Sequence, residues 1–496
     1  MIVRTVAGID TGTQSTKVIV YDYESKRIVA EGSSPHELIS RTDGTREQEA
    51  SWWIDAIRES FDQIPQTIRD TIEAIGVSGQ QHGFVPVDNN GNVLYPVKLW
   101  CDTSTALECD EITDEFGGSA ALLERTGNQV LPGYTASKIL WLKKNHKDLY
   151  DMMAKVLLPH DYINWYLTGE YTMEYGDASG TALLSIESRE WDTEVLRALD
   201  HTRDLLKVLP RLIGPQERAG YVSESAAMEF GIPKGIPVSS GGGDNMMGAI
   251  GTGTVSSGVL TMSLGTSGTI YGYSDTPVID KGGALAAFCS SSGGWLPLLC
   301  TMNCTVASEL TRVLFGKGVK EFDAGAETAP AGAQGVMMLP FFNGERTPNY
   351  PHGRGCLVGF DDKNMTEENI SRAAMESAIF GLKMGLDAFI SLGYTPREVR
   401  LIGGGANSPL WRQIAADILE LPIVIPTIKE AAAFGGALQA LWCLRADGSP
   451  LSSITDEHIS LDLEKGCEPA AVAAKTYKEV YASYSAYVEA MAPLFS

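Results

Sequence analysis

Long apolar runs are missing from this chain. No stretch approaches the length of a membrane-crossing helix, and residues 1–9 lead straight into strand-like sequence without the charged start, apolar core and cleavage site of an export signal. Basic residues are scarce as well: 39 Lys and Arg against 62 Asp and Glu leave a net charge of −23, with no Lys/Arg run to offset it. Such a field repels nucleic acid and anionic membranes and leaves a small polar molecule as the expected partner. The eight cysteines (Cys101, Cys109, Cys289, Cys300, Cys304, Cys356, Cys443 and Cys467) form no C-x-x-C pair and have no histidines at zinc spacing, so they read as reduced thiols of a cytoplasmic protein. Also absent are the Walker loop G-x-x-x-x-G-K-[ST], G-x-G-x-x-G, the G-x-S-x-G elbow and H-E-x-x-H, which removes the commonest phosphate-binding, hydrolase and metalloprotease signatures.

What is present is globular. With 44% hydrophobic and 20% charged residues over 496 positions, the chain is too long for one ordinary core, and two domains are expected. Strand-length apolar runs at 3–9, 17–21 and 28–30 predict an antiparallel meander, followed by a helix over 52–64, a strand over 74–77 and mainly helix over 136–167. Gly12-Thr13-Gln14-Ser15 and Gly265-Thr266-Ser267-Gly268 each sit between two strand patterns, half a chain apart. This internal similarity predicts two halves of related architecture, 1–250 and 251–496. In the second half a helix over 367–392, capped by Asn364 or Thr366, precedes a strand over 399–402 and a helix capped by Ser408 with Pro409 at its first position. Tyr477, Tyr481, Tyr484, Val488 and Met491 recur at helical spacing, an apolar stripe for packing on the body or on a second copy, so a homodimer stays open.

Four Gly-rich turns could admit an anion close to backbone amides. The first, residues 10–17, ends a strand on Asp10, whose carboxylate suits a hydrated Mg²⁺, and adds the hydroxyls of Thr11, Thr13, Ser15 and Thr16; an ordinary hairpin with an Asx turn reads equally well. The second is the turn at Gly265. The third, Gly403 to Asn407, precedes a helix N-terminus, where the dipole favours phosphate or ribose oxygens, although such loops also serve as plain connections. The fourth is Gly241-Gly242-Gly243-Asp244. Here a carboxylate follows three glycines that leave room for a substrate, as a general base for a phosphoryl acceptor requires; Asp244 as a helix N-cap is the competing reading. Beyond these turns, Gln80, Gln81 and His82 follow the 74–77 strand and offer neutral donors and acceptors to hydroxyls.

Taken together these residues resemble the carbohydrate kinase family named after its Phe-Gly-Gly-Tyr motif, within the actin-like ATPase superfamily. The match runs in order through residues 8–17, 79–83, Trp100-Cys101-Asp102, Thr126-Gly127-Asn128, residues 158–162, 241–245, 263–268, 344–348 and 403–407. The resemblance implies an α/β protein of two actin-like (ribonuclease H-like) ATPase domains flanking a catalytic cleft. It implies Asp244 as general base, Gln81, His82, Trp100, Asp102 and Asn245 around the sugar, and Mg²⁺ on Asp10. ATP is expected on Thr11, Gly12, Thr13, Gln14, Lys17, Gly265, Thr266, Ser267, Gly404, Gly405 and Asn407. The branch most resembled phosphorylates D-xylulose at its 5-hydroxyl. Cys101 stands where Asn is common and Gln81 where some members carry Met, which leaves ribulose, glycerol or gluconate as rival acceptors. An ATP-driven conformational switch is the rival of a different class.

Overall fold

The computed structural model describes residues 4–495. Its first half is built on a sheet of β1 (Thr5–Thr11), β2 (Ser15–Asp22), β3 (Arg27–Pro35), β4 (Ile72–Gly79), β5 (Arg218–Tyr221), β6 (Pro237–Ser239) and β7 (Gly242–Gly243). The strand order is β5-β6-β4-β1-β2-β3, with β7 beside β4. The second half carries β8 (Val259–Leu264), β9 (Gly268–Gly272), β10 (Leu298–Thr301), β11 (Glu398–Ile402), β12 (Ile423–Pro426) and β13 (Leu461–Cys467), in the order β13-β12-β11-β8-β9-β10. The directions agree strand by strand. β1–β2–β3 and β8–β9–β10 are antiparallel meanders, β1–β4–β6 and β8–β11–β12 are parallel, and the outer strands β5 and β13 run antiparallel to their neighbours. The repeat expected from two short Gly-Thr turns is thus a repeat of the whole sheet.

The helices that matter here are α1 (Ala50–Asp62), α2 (Thr135–Asn145), α3 (Pro159–Thr168), α4 (Asp244–Thr252), α5 (Glu367–Ser391), α6 (Pro409–Leu419), α7 (Ala431–Arg445) and α8 (Ala471–Phe495). Thr366 caps α5 by accepting the N–H of Asn369, and Ser408 caps α6 by accepting that of Trp411, with Pro409 first in the helix. The mainly helical stretch 136–167 is interrupted by a strand at Lys155–Leu157. On α8 the predicted stripe buries Tyr477, Tyr484 and Val488 in the second core.

α4 follows the last parallel strands of the first sheet, α7 those of the second, and the two cross in contact. Small residues allow this: a Cβ on Gly251 would stand 1.8 Å from the Ala431 carbonyl oxygen, and one on Gly435 1.8 Å from that of Met247. Backbones this close leave no room for a side chain, so each helix is shaped by the other half of the chain. α7 is apolar on nearly all sides and buried accordingly.

Candidate active site

The site assembles at the carboxyl ends of parallel strands, where α/β sheets commonly leave a crevice. In register, Asp10 of β1 lies opposite Ser78 of β4, which lies opposite Gly242 of β7. Asp10 and Asp244 therefore flank the end of β4. Ser78 Oγ donates to Asp10 Oδ1 at 2.7 Å. Burial, relieved by Ser78 and Lys17, raises the Asp10 carboxyl to about 6. Asp244 rises further, to about 7, through burial first and then the negative charges of Asp10 and Asp177.

The helix-cap alternative for Asp244 is not realised. Pairing of β7 with β4 keeps the chain extended through Gly243, which takes the N-cap position and makes Asp244 the first helical residue. Its Oδ1 accepts the N–H of Asn245 at 2.8 Å and the Asn245 amide Nδ2 at 3.1 Å. The same Nδ2 donates to Gln81 Oε1 at 2.7 Å, so Gln81, Asn245 and Asp244 form one chain of polar groups. The Gln81 side chain fits there because residue 243 is glycine: a Cβ would lie 2.6 Å from Gln81 Cγ. His82 is buried at the next position with φ +62°, its carbonyl held by Lys138 Nζ at 2.8 Å and Thr135 Oγ1 at 3.2 Å. Burial, with the positive charges of Lys138 and Arg346 added, keeps its imidazole neutral, well below the usual histidine range.

Two expected contacts are corrected by the geometry. Thr11 is fully buried and hydrogen-bonds Thr16, whose hydroxyl also meets His36 Nε2, so strand alternation turns both hydroxyls into the core, where neither can serve the expected ligand. Asp102 is likewise sealed: its carboxylate accepts from the Arg46 N–H, from Lys98 Nζ and from both the N–H and hydroxyl of Ser104, leaving no free lone pair aimed at a sugar. It fixes the loop that carries Trp100. Trp100 Nε1 donates to Thr13 Oγ1 at 3.0 Å, and Thr13 donates on to Gln80 Oε1 at 3.1 Å.

The turn of 12–15 offers amides rather than hydroxyls. Gly12 N–H closes it onto the Ser15 carbonyl, while the N–H groups of Thr13 and Gln14 have no acceptor among the described residues. The turn after β8 repeats this: Gly265 N–H meets the Ser267 carbonyl, and those of Thr266 and Ser267 have no acceptor among the described residues. Adjacent unpaired amides form a concave donor site for an anion. The third turn packs on the second, since Gly403, at φ +86°, leaves a Cβ only 2.6 Å from the Leu264 carbonyl oxygen. Gly404 faces open space, Gly405 is buried under it, and exposed Asn407 donates to the Gly404 carbonyl at 3.0 Å. Lys17 Nζ pairs at 2.5 Å with Glu430, which precedes α7, so a basic residue of the first half is tied to the second.

Comparison with known proteins decides what this arrangement is. Residues 5–251 match the N-terminal domain of the FGGY family of carbohydrate kinases, and residues 260–444 match its C-terminal domain. The chain belongs to the FGGY family of carbohydrate kinases. Among curated relatives of this FGGY kinase, a xylulose kinase of Haemophilus influenzae is 43% identical over 484 residues, 96% of this chain and 98% of that protein. The ligand-bound crystal structure of a xylulose kinase from Lactobacillus acidophilus superposes with a TM-score of 0.92 at 25% identity, over 99% of both chains. A gluconate kinase structure from the same organism gives the same figures, 0.92, 25% and 99% of each. The fold is thus common to kinases of different sugars. As a carbohydrate kinase the protein uses ATP as phosphate donor.

Several residues of this FGGY kinase site escaped sequence reasoning. Arg346, Tyr134 and Lys138 surround His82, and behind it lie Asp177, His160 and Glu174. Leu158 to Tyr162 and Gly344 to Pro348 were legible as motifs; that they converge on His82 is a matter of tertiary contact.

Proposed function

We propose that the protein phosphorylates D-xylulose to D-xylulose 5-phosphate, with Asp244 as general base. The observation that carries the reading is the pairing of Asp244, a base with its pKa near neutrality, with the neutral hydrogen-bonding wall of Asn245, Gln81 and His82. The name xylulose kinase on the relatives supports the choice of sugar. In the reaction the sugar hydroxyl oxygen bonds to the γ-phosphorus, the bond from that phosphorus to the β-phosphate oxygen breaks, ADP leaves, and the hydroxyl proton passes to Asp244. Asn245 uses both amide hydrogens on Gln81 and Asp244, which keeps its carbonyl for a sugar hydroxyl and holds the base in place. The free amides of Thr13, Gln14, Thr266 and Ser267 receive phosphate oxygens, Lys17 adds charge, and Gly404, Gly405 and Asn407 border the remainder of the nucleotide.

Asp10 fits a divalent cation. Burial raises the Asp10 carboxyl and the charge of Asp10 helps raise that of Asp244, while Lys17, the lysine that relieves Asp10, is already paired with Glu430. Mg²⁺ takes one or two protein carboxylates beside waters and phosphates, so Asp10 would suffice to hold it. When bound, the ion supplies charge neutralisation for the phosphates. The acidic surface and eight free cysteines support a cytoplasmic enzyme that takes a small sugar, not nucleic acid or membrane, as partner.

A coupled assay of ADP release over D-xylulose, ribulose, glycerol and gluconate tests the assignment. The expected result is a kcat/KM for D-xylulose at least tenfold above the others. A preference for another acceptor would replace the sugar, and ATP turnover indifferent to every sugar would defeat the reading altogether.

A further inference from the structure

Behind His82 lies a row of buried charged groups, one of which, Asp177, also helps lift the Asp244 carboxyl. His160 sits between two carboxylates, with Nδ1 2.9 Å from Asp177 Oδ2 and Nε2 2.9 Å from Asp161 Oδ1. All three side chains are sealed from solvent. Burial opposes a charge on His160, yet Asp161 and Asp177 together lift it to about 10, so the ring is an imidazolium whose Nδ1 donates to Asp177, while Nε2 faces Asp161 Oδ1 as an ion pair without hydrogen-bond geometry. Glu174 is the other carboxyl facing it and stays engaged with Ser291, whose hydroxyl donates to Oε2 at 2.6 Å.

One oxygen of Asp177 is left over. Among the described residues Oδ1 has no hydrogen-bond partner, and neither does Nδ1 of His82; both atoms are buried, and they lie 3.9 Å apart. That is about 1 Å beyond a hydrogen bond. The His82 ring cannot turn away easily. A Cβ on Gly180 would stand 2.1 Å from its Nδ1, Tyr134 meets it edge-on at 4.9 Å, and Phe288 lies at 5.6 Å. Burial, with positive charge from Lys138 and Arg346 added, keeps it neutral, so one ring nitrogen carries a proton and the other does not. Of the two, only Nδ1 is both sealed and unpartnered. Nε2 makes no hydrogen bond among the described residues and is not sealed.

We propose that Asp177 is a positioning residue: held by His160, it accepts the Nδ1–H of His82 and thereby presents Nε2 to the cleft as an acceptor for a sugar hydroxyl. A carboxylate cannot donate, so it selects this tautomer against the reverse one, in which Nε2 would be a donor. The pocket then favours a hydroxyl at that place over a carbonyl or carboxylate oxygen. This inference rests on His82 lining the sugar pocket.

The test combines a measurement on the unaltered enzyme with a mutant cycle. In ¹⁵N-histidine spectra of the full chain, with the His82 signals assigned by their loss in His82→Ala, Nδ1 is expected to be protonated and Nε2 bare. The reverse pattern overturns the proposal, and no variant needs to fold for that measurement beyond the one used for assignment. In kinetics, Asp177→Asn is expected to raise the KM for D-xylulose on the order of tenfold, as for loss of a hydrogen bond to a charged group, with the ATP KM within about twofold. In a His82→Ala background the same change is expected to do less than about twofold more, because its partner is gone. Effects that multiply instead overturn the role through His82. A raised sugar KM for His82→Ala with none for Asp177→Asn overturns this inference alone, whereas an unchanged sugar KM for His82→Ala overturns the pocket reading and this one with it.

Discussion

Gln81 and Asn245, 164 positions apart in sequence, meet side chain to side chain at 2.7 Å. The contact joins the loop after β4 to the first turn of α4. Because the same Asn245 amide also donates to Asp244, any displacement of the Gln81 loop is transmitted to the base. The sugar wall and the proton acceptor are thus one mechanical unit, and the following expectations rest on it.

Asp244→Asn preserves the shape of the side chain and removes its basicity. Turnover is expected to fall on the order of 10²–10⁴-fold, the range for loss of a general base, with ATP affinity by calorimetry little changed. Near-normal turnover in this variant would show that the proton goes elsewhere.

A base must be ionised to accept a proton, so the sign of the pH dependence is fixed. With Asp244 at about 7 in the free enzyme, kcat/KM for the sugar should rise about tenfold per pH unit below 7 and level off above it. Raising the concentration of divalent cation should move this limb to lower pH, since positive charge beside Asp10 relieves the repulsion that helps lift Asp244. A flat profile between about pH 5.5 and 8.5 contradicts the assignment.

The same group has a stability cost. Its folded-state pKa, about 7, lies above the ordinary 3.8, so the native state binds the proton more tightly than the unfolded chain. Stability therefore declines as pH rises from about 4 to 7, and the full penalty is present above 7. Asp244→Asn should raise stability on the order of 1–4 kcal/mol at pH 8 without metal, and less at pH 5. Urea unfolding at the two pH values checks this; an equal gain at both would mean that charge is not its source.

Gly251→Val introduces branched carbon where a Cβ alone would stand 1.8 Å from the Ala431 carbonyl oxygen. The crossing of α4 and α7 must open, which is expected to lower the urea midpoint by the equivalent of about 1–3 kcal/mol or more. Since α4 begins at Asp244 and Glu430 precedes α7, sugar and ATP affinities should both weaken. Wild-type stability in this variant would mean that the two helices are less tightly coupled than their backbones suggest.

Local chemistry made much of the molecule legible in advance. Alternating apolar runs gave the β1–β2–β3 meander, the Thr366 and Ser408 caps marked helix starts, and the spacing of Gly-rich turns revealed that the architecture repeats. These are short-range properties, set by dihedral preferences and by hydrogen bonds within a few residues. The order of the motifs likewise identified a kinase.

Tertiary structure decided which side chains the motifs leave free. Sequence offered Thr11 and Asp102 on the same footing as Thr13 and Gln81; only strand alternation and the donors from Arg46, Lys98 and Ser104 show that the first two face inward. It likewise decided the state of Asp244. Three glycines and an aspartate are compatible with a cap or a catalyst, and what separates them is β7 pairing with β4, together with the burial and the neighbouring charges of Asp10 and Asp177 that hold the carboxyl near neutrality. Ionisation depends on every charge and every excluded water within several ångströms, and those are set by contacts far apart in the chain, beyond what any local pattern encodes.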